Sequence, residues 1–175
     1  MRGREGLRVL YSEEEIRARV DSLAADIAQA SDPPDLALPI LVGAFVFAAD
    51  LLRALDVHGL SLCVEFLQLR SYGDARSAQE DVRVLAHPGE LVRARHVLLV
   101  DGVLDRGHTL AKGRDLALTA GARKVSTVVA VDKRRRGALL TADFAGFVHV
   151  EDFIVGYGMD DAGRLRSLPY IAAAR

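Results

Sequence analysis

The chain has 175 residues, with 23 Lys and Arg against 24 Asp and Glu, and half of its residues are hydrophobic. That length fits a single domain able to bury a core without disulfides or a structural metal, and the composition excludes a disordered chain. A net charge of −1 gives no electrostatic case for a nucleic-acid or membrane-surface partner. No apolar run reaches the roughly 18 residues that cross a bilayer. Cys63 is the only cysteine, which excludes an intrachain disulfide framework and a cysteine-based zinc site. No apolar signal core precedes the acidic run Glu13-Glu14-Glu15, so a cytoplasmic protein is expected.

Ser12 ahead of three glutamates predicts a helix start, because a hydroxyl cap and first-turn acids satisfy the free N–H groups there. Ile16, Val20, Leu23, Ala24 and Ile27 then recur at helical spacing through about Ala30. Pro33-Pro34 breaks the chain, and Leu36 to Val42 reads as a buried parallel strand. A helix over Ala44 to Leu55 follows Gly43, and then a strand over Leu60 to Leu69. Ser71 to Asp81 is polar and aperiodic and reads as a loop. Val82 to Leu85 is a short strand, and His96 to Asp101 is the clearest core strand. Thr109 to Ala120 is a helix closed by Gly121, and Lys124 to Val131 is a β-branched strand. This order predicts an α/β fold with a mainly parallel, twisted sheet flanked by helices. The alternation is expected to stop at Asp143, leaving a small lobe over one end of the sheet. The expected organisation is one domain over residues 1–175, with a core of about 12–142 and a hood of about 1–11 and 143–175. Ligands of such sheets bind beyond the carboxyl ends of the strands, so the loops after Val42, Leu69, Asp101 and Val131 should share a crevice.

The most informative stretch is Val97-Leu98-Leu99-Val100-Asp101-Gly102-Val103-Leu104-Asp105-Arg106-Gly107-His108-Thr109-Leu110. An apolar strand delivers a carboxylate, a tight turn follows, and a helix begins with a glycine and a hydroxyl. Such a helix start is a phosphate seat. Asp101 and Asp105 flank it and could bind ribose hydroxyls or magnesium, or exchange a proton. The plainer alternative is a helix cap at Asp105 or Thr109.

This stretch resembles the phosphoribosyl-pyrophosphate (PRPP) signature of type I phosphoribosyltransferases. The rest of the chain resembles the hypoxanthine-guanine branch of that family. The motifs are Tyr11 to Ile16 at the first helix, Leu41 to Leu51 at the first active-site loop, and Arg70-Ser71-Tyr72 at the start of a mobile loop. Lys133 follows a strand, and Asp152-Phe153-Ile154-Val155-Gly156-Tyr157-Gly158-Met159-Asp160 matches the purine-binding tail. The resemblance runs from about Leu10 to Tyr170, in the family's order. It implies transfer of ribose 5-phosphate from PRPP to a 6-oxopurine (hypoxanthine, guanine or both), giving IMP or GMP and pyrophosphate. It also implies Mg2+ as cofactor and assembly as a homodimer or homotetramer.

The resemblance further implies roles for single residues. Asp105 would be the general base near the purine N7. Asp101, Asp105, Arg106, Gly107, His108, Thr109, Val42, Gly43 and Arg166 would handle PRPP. Lys133 would donate to the 6-oxo group, Phe153 would stack on the ring, and the main chain of Ile154 would read its edge. Asp160 would lie by the purine and, with Asp101, hold magnesium. Ser71 and Tyr72 would close over the site. Only three of the 23 basic residues are lysines, so a lysine at position 133 is telling.

The chain departs from the family pattern where paired acids give way to Asp101-Gly102, where Arg106 replaces a small hydroxyl residue and either adds a phosphate contact or crowds the loop, where His108 replaces a basic one, and where Val42 precedes Gly43. These departures lie on the PRPP side. They leave a second expectation, a weakened paralogue that binds purine nucleotides as a sensor or accessory protein. Arg134, Arg135 and Arg136 are left open between phosphate binding, subunit contact and solubility. His58, His87, His96 and His149 have no metal-ligand spacing and read as structural or surface residues.

Overall fold

The computed structural model describes residues 6–72, 81–86 and 89–174, with only the backbone described for residues 70–72 and 81. In chain order the elements are β1 (Arg8–Tyr11), α1 (Glu13–Ala28), β2 (Leu36–Leu41), α2 (Phe45–Val57), β3 (Cys63–Val64), β4 (Leu67–Tyr72) and β5 (Asp81–Ala86). They continue with β6 (His96–Leu104), α3 (His108–Thr119), β7 (Lys124–Asp132), β8 (Phe144–Val148), β9 (Ile154–Val155) and β10 (Ile171–Ala173).

α1 begins as its sequence predicts. The Ser12 hydroxyl accepts the Glu15 N–H at 3.3 Å, and the Glu15 carboxylate accepts the Ser12 N–H at 2.7 Å. Ile16, Val20, Leu23, Ala24 and Ile27 form its buried stripe.

The main sheet has the order β5-β4-β2-β6-β7-β8, with β3 also paired to β2 and only β5 antiparallel. Side chains of β6 alternate between two cores, as the period of a strand requires. From Val97 to Val100, Leu98 and Val100 face the α1–α2 side, while Val97 and Leu99 face the α3 side. A second sheet, β1-β10-β9, joins the two ends of the described chain. Ile154, Tyr157, Met159 and Ile171 pack it onto the α1–α2 side of the core. No helix among the described residues is long and apolar enough to cross a membrane.

Four expectations are corrected. The strand over 60–69 is two strands that keep one register against β2, interrupted opposite Pro39, which has no N–H to give to the ladder. Ser71, Tyr72 and Asp81 belong to the antiparallel pair β4–β5; residues 73–80, the rest of the expected loop, lie outside the described residues, as does His87. β6 does not end at Asp101. Its pairing with β7 continues through Val103–Val131 and Leu104–Asp132, so the turn to α3 is only 105–107. The main sheet does not end ahead of Asp143, where the hood is expected to begin, although no further helix follows α3 among the described residues. The Asp143 carboxylate accepts both the N–H and the hydroxyl of Thr127 at 2.8 Å and starts β8 alongside β7.

Candidate active site

The turn from β6 to α3 depends on Gly107, which has φ of 88° in the left-handed region and stands as the cap of α3 without any side-chain cap bond. Neither Asp105 nor Thr109 is the N-cap, so the plain capping alternative does not hold here. The Arg106 carbonyl accepts the Leu139 N–H at 2.9 Å, and the Leu104 carbonyl accepts the Lys133 N–H at 2.9 Å. Those bonds fasten the turn to the segment after β7. Between them lies a cleft of about 780 Å³, lined by Asp101, by Asp105 to Leu110 and by Arg135 to Leu139. A helix cannot satisfy the N–H groups of its own first turn, and here that turn lines the cleft beside Arg106, His108, Arg135 and Arg136.

A smaller recess of about 240 Å³ continues from it and shares Asp101, Val103 and Asp105. Its other walls are Gly43, Gly102, Lys133, Phe153, Ile154, Met159, Asp160 and Arg166. Lys133 is buried. Its ammonium donates to the Asp152 carbonyl at 2.9 Å and pairs with Asp105 Oδ2 at 3.2 Å. Arg135 Nε meets the other oxygen of Asp105, Oδ1, at 3.2 Å, and its Nη2 donates to the Glu151 carbonyl at 3.0 Å. Phe153 is 56% exposed and lines the recess, an unusual place for so large an apolar surface to remain open. Ile154 is buried, paired to Ala173 through β9 and β10.

The acids of the site differ in environment. Asp101 accepts the Gly102 N–H at 2.7 Å, but burial outweighs that bond and pushes its carboxyl up to about 7. Asp160 pairs with Arg166 at 2.6 Å and accepts the Gly163 N–H at 2.6 Å; Arg166 also donates to the Gly158 carbonyl at 2.7 Å. No group of three or more metal-ligating side chains occurs among the described residues. Asp101 and Asp160 nevertheless line one recess.

The phosphoribosyl transferase domain family matches residues 9–162. The hypoxanthine-guanine phosphoribosyltransferase of Bacillus subtilis is 35% identical over 170 residues, 96% of this chain and 93% of that one. The hypoxanthine phosphoribosyltransferase of Escherichia coli is 35% identical over 167 residues, 93% of this chain and 92% of its own. The chain belongs to the hypoxanthine-guanine phosphoribosyltransferase family. The solved hypoxanthine phosphoribosyltransferase of Trypanosoma cruzi, in complex with the product IMP, superposes with a TM-score of 0.86 at 31% identity, covering 100% of this chain and 98% of that one.

Of the residues singled out from the sequence of this phosphoribosyltransferase, Asp101, Asp105, Arg106, Gly107, His108 and Thr109 line the larger cleft. Gly43, Lys133, Phe153, Ile154, Asp160 and Arg166 line the smaller recess. Val42 does not line either; its side chain is half exposed, and the Leu41–Val42 peptide is cis. Ser71 and Tyr72 are described only as backbone, at the end of β4. Met159 is not singled out by the sequence, and Arg135 is left open there between three uses. Met159 follows Gly158 within the stretch that resembles the family's purine-binding tail, which was signal enough to find it. The basic run marks Arg135, but its contact with Asp105 carries no local signal, because it depends on how the segment after β7 folds back on the 105–107 turn.

Proposed function

We propose that the protein salvages purines, transferring the 5-phosphoribosyl group of PRPP to a ring nitrogen of hypoxanthine, guanine or both, with release of pyrophosphate. The observation that carries this reading is the meeting of two half-sites at Asp105. On one side are the α3 start and its basic neighbours; on the other are an exposed phenyl ring and a buried lysine.

Breaking the bond from the sugar to pyrophosphate builds positive charge on the sugar and negative charge on the leaving group. The α3 turn, with Arg106, His108 and Thr109, holds the 5′-phosphate. Phe153 stacks on the purine and Lys133 donates to its 6-oxo oxygen. A 6-amino group would meet that ammonium donor to donor, so adenine is disfavoured. Asp105 takes the proton from the ring nitrogen at N7 and faces the cationic sugar. Arg166 meets pyrophosphate once its contact with Asp160 is exchanged. Asp101 and Asp160 would hold magnesium: two carboxylates in a recess open to a diphosphate suit an ion bound through one or two carboxylates plus phosphate oxygens. Bound there, the ion would supply stabilisation of charge on the leaving group.

The sheet β1-β10-β9 serves as a hood on a single catalytic domain, and the same reading carries a cytoplasmic setting and an assembly of two or four copies. Asp105 at the junction of both half-sites supports catalysis over mere nucleotide holding. The test is pyrophosphate release from PRPP and magnesium with hypoxanthine, guanine, xanthine and adenine in turn. Release with hypoxanthine or guanine is expected. Release with none, together with tight IMP or GMP binding, would establish the nucleotide-holding alternative.

A further inference from the structure

Asp105 is gripped at both carboxylate oxygens, Oδ2 by Lys133 and Oδ1 by Arg135, each at 3.2 Å. The same two cations also clip consecutive carbonyls of the segment that leads into Phe153, Arg135 that of Glu151 and Lys133 that of Asp152. Two side chains therefore fix the carboxylate and the base-stacking segment relative to each other. Lys133 has a further duty on the purine oxygen, which draws part of its charge away from Asp105. A carboxylate held at one oxygen pivots about that contact, whereas one held at both keeps its plane. The planar, permanently charged guanidinium is suited to such a hold. With both side chains about two-fifths exposed, the pair adds little to stability, so its consequence lies in orientation.

We propose that Arg135 is the positioning residue of this reaction, holding Asp105 aimed at the purine when Lys133 engages the 6-oxo group. This deepens the transferase reading and rests on it.

The experiment measures kcat and KM for PRPP and hypoxanthine, and IMP affinity, in the wild type and in Arg135→Ala, Arg135→Lys, Asp105→Asn and the Arg135→Ala/Asp105→Asn double variant. Arg135→Ala should lower kcat by about tenfold or more, with KM for PRPP and the IMP Kd within about threefold, because misaligned groups lose rate before binding. Arg135→Lys should recover part of the rate. The double variant should be no slower than Asp105→Asn alone, since a residue that acts through Asp105 has nothing left to position. An unchanged kcat in Arg135→Ala, a raised KM for PRPP at unchanged kcat, or losses that add in the double variant would each overturn the proposal. Should Arg135→Ala not fold, Arg135→Gln and Arg135→Lys are read against the same outcomes. A wild type that turns over no purine overturns the transferase reading and this inference together; an active wild type with an indifferent Arg135→Ala overturns the inference alone.

Discussion

The carbonyl oxygen of Gly43 lies so close over Gly102 that a Cβ built at 102 would stand 2.9 Å from it. On its other side is Gly158, whose φ of 98° and missing side chain admit the same oxygen. The loop after β2 is thus seated between the core strand β6 and the segment after β9 by two positions that lack a Cβ. Gly102 stands where the family resemblance expects a second acid, and the structure has no room for that acid's first carbon. Gly102→Asp should therefore not improve PRPP use. It should lower thermal stability by about 1–3 kcal/mol, as overpacking does, and raise KM for PRPP. Melting curves and initial rates check this; a gain in kcat/KM at unchanged stability would contradict it.

Asp105→Asn keeps the shape of the side chain but removes the proposed proton acceptor. The rate of transfer should fall by about 10²–10⁴-fold, the range for a lost general base. IMP affinity should stay within about threefold, because binding relies on other groups. Steady-state kinetics and calorimetric titration separate the two effects, and an unchanged rate would remove Asp105 from the mechanism.

Lys133→Ala takes the buried donor from the base side, and with it a tie to Asp105 and to the Asp152 carbonyl. The KM for hypoxanthine should rise far more than that for PRPP, and the preference for 6-oxo over 6-amino purines should narrow. Equal losses toward both substrates would argue against a base-reading role.

His96 sits at the opposite end of β6, 1% exposed, with its Nε2 on the Ser126 hydroxyl at 2.9 Å. Burial holds its pKa below the usual histidine value, aided by Lys124 and Arg123 and opposed by the Asp32 carboxylate. The folded state thus binds this proton less readily than the unfolded chain. Its contribution to stability is present above the ordinary histidine pKa of about 6.5 and is lost as pH falls through it. His96→Gln should lose less melting temperature than the wild type between pH 7 and 5, about the window in which an unperturbed histidine titrates. Parallel curves would contradict this.

Much of the core was legible because it rests on local rules. Ser12 with Glu15 marked the start of α1, and the unbroken apolar run Val97–Val100 marked the central strand. The site residues were legible as an ordered set of motifs more than as chemistry, since a lone aspartate or phenylalanine has many uses. What escaped depends on contacts distant in sequence. The interruption opposite Pro39 and the extension of β6 past Asp101 are set by neighbouring strands. The grip of Arg135 on Asp105 spans 30 residues of chain. The seat of the Gly43 carbonyl joins three segments, none of which signals it alone.

In the proposed reaction, one continuous cleft takes the phosphate at the α3 start and the purine between Phe153 and Lys133. A crystal structure of the protein with IMP tests it most directly. The 5′-phosphate should lie within about 2.7–3.2 Å of backbone N–H groups in the turn from Gly107 to Thr109, with the hypoxanthine ring on Phe153 and its 6-oxo oxygen on the Lys133 ammonium. IMP bound with its phosphate away from that turn, or its base away from Lys133, would contradict it.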